Sequence, residues 1–337
     1  MAQVPADREA DEETALADEQ EELRRVEVGS DAHGERLDKA LVQLVPEFSR
    51  SYLQRLLEQG DVRLNGEIGA RPAHRVRLGD VLVVRMRPTA QSLAFRPQAL
   101  ALDVVYEDEH LLVLDKPAGL VVHPAPGHWS GTLLNGLLAR DAGAALLPRA
   151  GIVHRLDKDT SGLMVVARTR AAMDGLGRAI AAREVSRRYV AVCWGRWDRG
   201  QVRRIDAPVG RDPRNRLRMA VVDTTTHPGK AARTDVLGLA TDGRVSLVRC
   251  ALHTGRTHQI RVHLASIGHP LVADALYGGA PAAGLERQAL HAFALAFAHP
   301  VTGAAMRWQA PLPPDLAHAL DFWGLHYNEK QSPDGDM

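Results

Sequence analysis

The feature that most constrains this chain is a dense polar segment set between two short apolar runs. The apolar runs are residues 152–153 and 163–167, and the polar segment between them covers residues 154–161. Short apolar runs bounded by turn residues predict strands, and loops between strands are where binding and catalytic side chains concentrate. We therefore expect two strands that hold a functional loop between them.

The charges of this loop suit acid–base or nucleophilic chemistry. Asp157 lies between the cations Arg155 and Lys158, and nearby positive charge favours the ionised form of a carboxylate. Such an aspartate can act as a nucleophile, as a general base or as one half of a structural ion pair. A solvated charged turn without function is the alternative interpretation of the same residues.

The loop is also a recognisable motif. Residues 154–162 read His-Arg-Leu-Asp-Lys-Asp-Thr-Ser-Gly, and this run resembles the signature of the RluA-type pseudouridine synthases, which isomerise uridine in structured RNA. Further stretches similar to that family are residues 114–124, 188–192, 212–221, 229–232 and 254–272. Together with the amino-terminal module described below, they look most like the RluD type, which acts on large-subunit ribosomal RNA.

The resemblance implies three catalytic residues. Asp157 matches the essential carboxylate, which is proposed either to attack the anomeric carbon of the ribose or to act as a base beside it. Arg261 would pair with Asp157 and keep it ionised and oriented. Tyr189 would lie against the uracil and could transfer a proton, although a tyrosine in a strand is also compatible with a purely structural position in the core.

Four more residues are assigned to substrate binding. A uridine in folded RNA must leave its base stack before a carboxylate can reach it, and Arg155 is our candidate for filling the gap, since a guanidinium can stack on bases. We expect His154 to support the loop, Arg256 to hold a phosphate and His258 to contact the substrate.

The implied reaction needs neither a cofactor nor a metal. It exchanges a carbon–nitrogen bond for a carbon–carbon bond within one nucleotide, so nothing is oxidised and no group enters or leaves. The sequence contains no His-Glu-x-x-His motif, and the pair Gly229-Lys230 lacks the remainder of a phosphate-binding loop. We therefore predict no cofactor and no metal.

Residues 34–87 predict a small α/β RNA-binding domain. Apolar residues recur at helical spacing from Leu37, a second helix is expected to begin after Ser49, and Asn65-Gly66 is a strong hairpin signal. The stretch resembles the module named after ribosomal small-subunit protein four. The resemblance implies that three cations meet RNA phosphates: Arg50, Arg55 and Arg63. A solvated amphipathic helix pair is the alternative.

The larger part of the chain predicts an α+β domain. Strands are expected at residues 103–106, 111–115, 188–192, 245–252, 289–297 and 306–309, and helices at 132–140, 169–183, 257–267 and 315–322. Because strands and helices interleave without strict alternation, we expect a mixed, mostly antiparallel sheet with a central cleft. The expected divisions are a disordered acidic tail at 1–29, a linker at 88–99, the catalytic domain at 100–326 and a flexible tail at 327–337.

Charge and composition narrow the class of partner and the compartment. Residues 1–29 carry ten acidic and three basic side chains, a net charge of −7, which leaves +8 for the remainder of a chain whose total is +1. A basic body favours a polyanionic partner. The two cysteines are far apart, and the longest apolar run, residues 292–298, is too short to span a bilayer. We expect a cytoplasmic monomer that acts on large-subunit ribosomal RNA or on an assembling subunit.

Three alternatives remain at the level of sequence. One is a synthase of the same family that acts on other ribosomal or transfer RNA uridines. Another is a non-catalytic RNA-binding protein with the same fold. The third is a hydrolase that uses Asp157 and Asp159 as paired carboxylates, which requires a separation of about 5–5.5 or 6.5–9.5 Å. One departure from the family pattern is the run Ala-Pro-Gly-His at residues 125–128, where members often carry Gly-x-Gly-Asn.

Overall fold

The chain divides into two compact units, residues 1–91 and residues 92–337. The computed structural model describes residues 22–68, 71–86, 94–215 and 217–327. Within those ranges, every helix is too short or too polar to cross a membrane.

The first unit combines two helices with a small antiparallel sheet in the order β1-β4-β2-β3. Its elements are β1 Glu22–Glu27, α1 Leu37–Leu44, α2 Arg50–Glu58, β2 Val62–Leu64, β3 Glu67–Ile68 and β4 Val81–Met86. Ser49 caps α2 as predicted, because its hydroxyl accepts a hydrogen bond from the backbone N–H of Tyr52. The predicted Asn65-Gly66 hairpin joins β2 to β3, with both residues at positive φ.

The prediction of a disordered tail over residues 1–29 is wrong for its final part. Strand β1 pairs along its whole length with β4, and Val28 directly after it is buried in the core of the first unit. The charged composition of this segment misled the prediction, since an edge strand satisfies its backbone through its neighbour while its charged side chains stay in solvent. Residues 1–21 lie outside the described residues.

The second unit is built on a long sheet in the order β5-β6-β7-β15-β8-β14-β13-β9, with β16 added to β15. Its strands are β5 Asp103–Glu107, β6 Leu111–Lys116, β7 Ser161–Ala167, β8 Ser186–Trp194, β9 Val202–Asp206, β10 Val209–Arg211, β11 Met219–Val221, β12 Gly229–Lys230, β13 Arg233–Thr241, β14 Val245–Leu252, β15 Leu290–Ala298 and β16 Ala305–Gln309. Its helices are α3 Leu133–Arg140, α4 Arg170–Ala182, α5 Gln259–Ser266 and α6 Pro314–Phe322.

All but one of the strand pairs in this sheet are antiparallel, so the predicted mixed, mostly antiparallel sheet is confirmed. The exception is β7 with β15, which run parallel and place Ser161 beside His291. This pairing puts the end of the polar loop at the centre of the sheet. Strands β10, β11 and β12 form a separate three-stranded sheet that the sequence analysis did not predict as strands.

The predicted linker at residues 88–99 is wrong for its second half. The side-chain amide of Asn135 on α3 donates to the backbone carbonyls of Ala94 and Arg96, and the Gln98 side chain accepts from the N–H of Gly131. Proline and polar residues suggested a free connection, but they are equally compatible with an extended segment that a buried amide holds. Residues 87–93 are outside the described part of the chain.

Candidate active site

The polar loop lines a cleft together with side chains from β8 and from the segment that leads into α5. Asp157, Tyr189, Arg256, His258 and Arg261 lie around this cleft, which we call the reaction cleft. Four of the residues that the sequence analysis assigned to chemistry or substrate binding therefore meet Asp157 in one place, although they are distant along the chain.

Lys116, at the end of β6, holds one side of the loop. Its side chain is fully buried, and the ammonium donates to the backbone carbonyls of Pro117, Leu120 and Lys158. Burial lowers the pKa of Lys116 to about 8, although the charges of Asp159 and Asp157 partly oppose the shift. The buried cation thus holds Lys158, the residue after Asp157, by its backbone carbonyl.

The other side of the loop is held from the segment before β15. The guanidinium of Arg287 donates to the backbone carbonyl of Asp159, at 2.9 Å, and to both carboxylate oxygens of Asp315 at α6. The neighbouring Gln288 donates to the hydroxyl of Thr160, at 3.3 Å. We call Arg287 and Gln288 the loop clamp. It leaves the loop backbone few alternative positions, which orients Asp157.

His154 lies beneath the loop. Its Nε2 accepts a hydrogen bond from the backbone N–H of Val165 in β7, at 3.0 Å, while its Nδ1 is buried without a partner among the described residues. Burial lowers the pKa of His154 to about 3, and the charge of Arg187 adds to the shift. A neutral imidazole bound to the sheet favours the loop-supporting role over direct contact with substrate.

Helix α5 presents Arg261 to Asp157. The predicted helix is present, and it begins directly after His258, whose φ of 57° turns the chain sharply into the first turn. Nη1 of Arg261 lies 3.1 Å from Oδ2 of Asp157, and Asp274 accepts from Nε and Nη2 at 2.7 and 2.8 Å. Arg261 is therefore held by one carboxylate and directed at the other.

The second oxygen of Asp157 faces His258. Nε2 of His258 lies 3.9 Å from Oδ1, and Nδ1 lies 2.8 Å from the hydroxyl of Tyr277. That hydroxyl accepts the backbone N–H of Met219 in β11, at 3.0 Å, so its own proton is available to His258 Nδ1. Burial lowers the pKa of His258; when Nδ1 accepts the proton of the Tyr277 hydroxyl, the neutral ring carries its own proton on Nε2, toward Asp157.

Tyr189 forms the wall of the cleft from β8. It is 5% exposed, and burial raises its pKa to about 12, with a smaller opposing influence from the charge of Arg187. The phenol is consequently protonated at neutral pH. Tyr189 lines the same cleft as Asp157.

The remaining predicted cations are exposed, except Arg256, which is half-buried. Arg155 is exposed at the cleft, and Arg256 donates to the backbone carbonyl of Ala231. In the first unit, the predicted phosphate-binding residues are likewise exposed: Arg50, Arg55 and Arg63. No group of three His, Cys, Asp or Glu side chains in the described parts of the chain lies close enough together to hold a metal ion.

Three residues of the site escaped the sequence analysis: Asp274, Tyr277 and Arg287. For Asp274 a signal existed, since it is the one Asp, Glu, Lys or Arg between Arg261 and Glu286. A lone charge in an apolar stretch must find a partner if it is buried. The departure at residues 125–128 also proves to lie near the loop, because His128 Nε2 is 3.2 Å from the ammonium of Lys158.

Comparison with known proteins assigns this arrangement to a family. Residues 110–266 match the family model described as RNA pseudouridylate synthase, and residues 35–82 match the S4 domain. The "Ribosomal large subunit pseudouridine synthase D" of Neisseria meningitidis is 44% identical over 333 residues, which cover 95% of this chain and 87% of that protein. The protein of the same name from Xanthomonas campestris is 47% identical over 311 residues, covering 88% of this chain and 92% of that protein.

A solved structure agrees. "Human RNA Pseudouridylate Synthase Domain Containing 1" is 28% identical and superposes with a TM-score of 0.50, covering 69% of this chain and 90% of that one. Fold, site and relatives define an RNA-modifying isomerase. The chain belongs to the RNA pseudouridine synthase family, which confirms the resemblance of the loop motif, and it carries an S4 RNA-binding domain in front of the catalytic domain.

Proposed function

We propose that this protein converts specific uridines of large-subunit ribosomal RNA to pseudouridine. The observation that carries the proposal is the Asp157–Arg261 pair, which lies in the reaction cleft against Tyr189. The proposed substrate is that of the relatives named large-subunit synthases, which match nearly the whole chain. A monomer that acts in the cytoplasm, on free RNA or on the assembling subunit, is part of the proposal.

The proposed roles follow from the contacts of each residue. Asp157 is the reactive carboxylate, either as a nucleophile at the anomeric carbon or as a base beside it. Arg261 orients Asp157, because its Nη1 donates to Oδ2 of that carboxylate at 3.1 Å. Tyr189 confines the uracil while the base is detached and rotated, and its protonated hydroxyl offers a hydrogen bond.

The exposed cations serve the RNA. Arg155, at the rim of the reaction cleft, is placed to fill the space that an extruded uridine leaves in its base stack. Arg256 and His258 contact the nucleotide from the α5 side. On the S4 domain, Arg50, Arg55 and Arg63 neutralise phosphates, which fixes position without reading sequence.

The geometry gives the paired-carboxylate hydrolase less support than the synthase. Asp157 lines the reaction cleft, whereas the contact that defines the position of Asp159 is the clamp on its backbone carbonyl. The reaction of a synthase also differs in its products, because the uracil stays attached to the chain. A hydrolase would release uracil or sugar.

The test is incubation of the wild type and Asp157→Asn with unmodified large-subunit ribosomal RNA, followed by site-by-site mapping of pseudouridine and an assay for free uracil. We expect pseudouridine with the wild type alone and no uracil. Modification of transfer RNA instead would reassign the substrate. Tight binding by both proteins without a change of base would favour the non-catalytic alternative, and free uracil would favour the hydrolase.

A further inference from the structure

Arg187 is a buried cation that has no partner among the residues that the structure describes. It lies in β8 and is 7% exposed, which equals the exposure of Arg261. Arg261 makes three hydrogen bonds to two carboxylates. Arg187 has no hydrogen bond or ion pair with any residue in the described ranges, and its Nε is fully enclosed. A buried charge without a counter-ion is strongly unfavourable. Stability therefore does not explain why an arginine occupies this position.

The position of Arg187 is beside the chemistry. It lies two residues before Tyr189 on the same strand, so both side chains project from the same face of the sheet. Its charge acts on the two neighbouring groups: after burial, it is the largest influence on the pKa of His154 and on that of Tyr189. On this face Arg187 is the neighbour of Tyr189, which lines the reaction cleft.

The backbone of Gly255 lies against this guanidinium. Gly255 is exposed, and a β-carbon at this position would lie 2.7 Å from Nη1 of Arg187. Any other residue would force Arg187 to move. Gly255 belongs to the segment that carries Arg256 and His258 into the cleft. We call the surface at Gly255 the glycine notch; Nη1 of Arg187 lies against it, and Nε is enclosed without a partner among the described residues.

We infer that Arg187 binds an internucleotide phosphate of the substrate RNA through the glycine notch. A guanidinium offers two parallel N–H groups that match two phosphate oxygens, and such charge-assisted pairs are strong where water is excluded. A uridine extruded into the reaction cleft brings its flanking phosphates to the cleft wall. The missing counter-ion of Arg187 is then supplied by the substrate. This inference rests on the proposed function for the identity of the ligand, but not for the existence of an anion site.

The first test concerns the anion site alone. We expect Arg187→Met to keep or raise the melting temperature, by about 2–4 °C or more, because an unpaired buried charge is removed. Inorganic phosphate should raise the melting temperature of the wild type and not that of Arg187→Met. Arg188→Met is the matched control, since Arg188 is adjacent in β8 and faces away, and it should retain the phosphate effect. A lower melting temperature without any Arg187-dependent phosphate effect would overturn the inference.

The second test identifies the phosphate. Short RNA substrates would carry one neutral methylphosphonate at each linkage around the target uridine, and single-turnover rates would be measured for the wild type, Arg187→Lys and Arg187→Met. We expect one linkage whose neutralisation slows the wild type about 10- to 100-fold but leaves the already slow Arg187→Met unchanged, with partial recovery in Arg187→Lys. Additive losses at every linkage would overturn the assignment to RNA phosphate.

Failure of the proposed function would be distinguishable. Absence of pseudouridine with the wild type on every RNA would overturn the proposed function and, with it, RNA as the ligand of Arg187. The Arg187-dependent effect of inorganic phosphate on the melting temperature requires no turnover, so it decides separately whether the glycine notch is an anion site.

Discussion

Asp274 accepts two hydrogen bonds from Arg261, at 2.7 and 2.8 Å, and the side chains of both residues are more than nine-tenths buried. Only the third donor, Nη1, is directed at Asp157. The buried pair thus determines the position of the charge that faces Asp157. The ring of Tyr277 also packs on Arg261, with its centroid 5.0 Å from the guanidinium carbon. This contact and the three hydrogen bonds fix the orientation of Arg261.

We predict that Asp274→Asn impairs both stability and turnover. Removing one charge from a buried ion pair costs about 3–5 kcal/mol, and asparagine retains one acceptor, so we expect the lower end of that range. Misplacement of Arg261 should slow the single-turnover rate about 100-fold. Urea unfolding and rapid-quench kinetics would measure the two effects. Asp223→Asn, at an exposed turn, is the control and should change neither.

We predict that Tyr277→Phe slows the reaction without unfolding the protein. The substitution removes the hydroxyl that joins Met219 to His258. The position of the proton on that imidazole is then no longer fixed by Tyr277. One hydrogen bond is worth about 1 kcal/mol, so the loss of stability should be small and the rate should fall by about tenfold. Tyr106→Phe is the matched control, because its hydroxyl binds Asp108 instead. An unchanged rate in Tyr277→Phe would contradict the role of His258.

We predict that Arg287→Ala loosens the loop while RNA affinity is retained. The clamp contact to the carbonyl of Asp159 and the pair with Asp315 are both lost. Hydrogen exchange of the amides at residues 157–161 should accelerate, and the single-turnover rate should fall about 10- to 100-fold. Arg170→Ala, which removes an exposed pair with Asp174, should leave both unchanged. Equal losses of affinity and rate in Arg287→Ala would argue against a positioning role.

We predict that His154 makes the fold sensitive to acid. Its pKa of about 3 lies below the value of about 6.5 expected in the unfolded chain. Between those values the unfolded state binds more protons, so stability is complete above pH 6.5 and is lost as the pH falls toward 3. From pH 7 to pH 5 this amounts to about 2 kcal/mol for His154. His154→Gln should show a shallower decline in urea unfolding over that interval. An identical decline would show that His154 does not titrate in this way.

Local sequence patterns were sufficient to predict the secondary-structure elements that carry the site residues. The loop of Asp157 and the helix of Arg261 follow from short apolar runs, helical spacing and the glycine after α5. The partners of these residues depend on tertiary contacts, which no local pattern encodes. Asp274 follows Arg261 by 13 residues and reaches it through an irregular turn, and Arg287 follows Asp159 by 128.

The wrong boundaries of the predicted tail and of the predicted linker have a different cause. Residues 22–29 were predicted as part of a charged tail and residues 94–99 as part of a linker with proline and polar residues. Their order comes from the backbone: β1 is completed by β4, and residues 94–96 are held by the amide of Asn135. Backbone hydrogen bonds of this kind are independent of side-chain hydrophobicity, so composition cannot detect them.

The single parallel pairing of the long sheet has a consequence for biosynthesis. Ser161 and His291 are 130 positions apart, and the loop clamp lies in the same late segment. When only the strands directly after Asp157 have left the ribosome, neither the loop clamp nor β15 is present to support the loop. The loop therefore reaches its full support only after residues 287–298 have been synthesised and have joined the sheet.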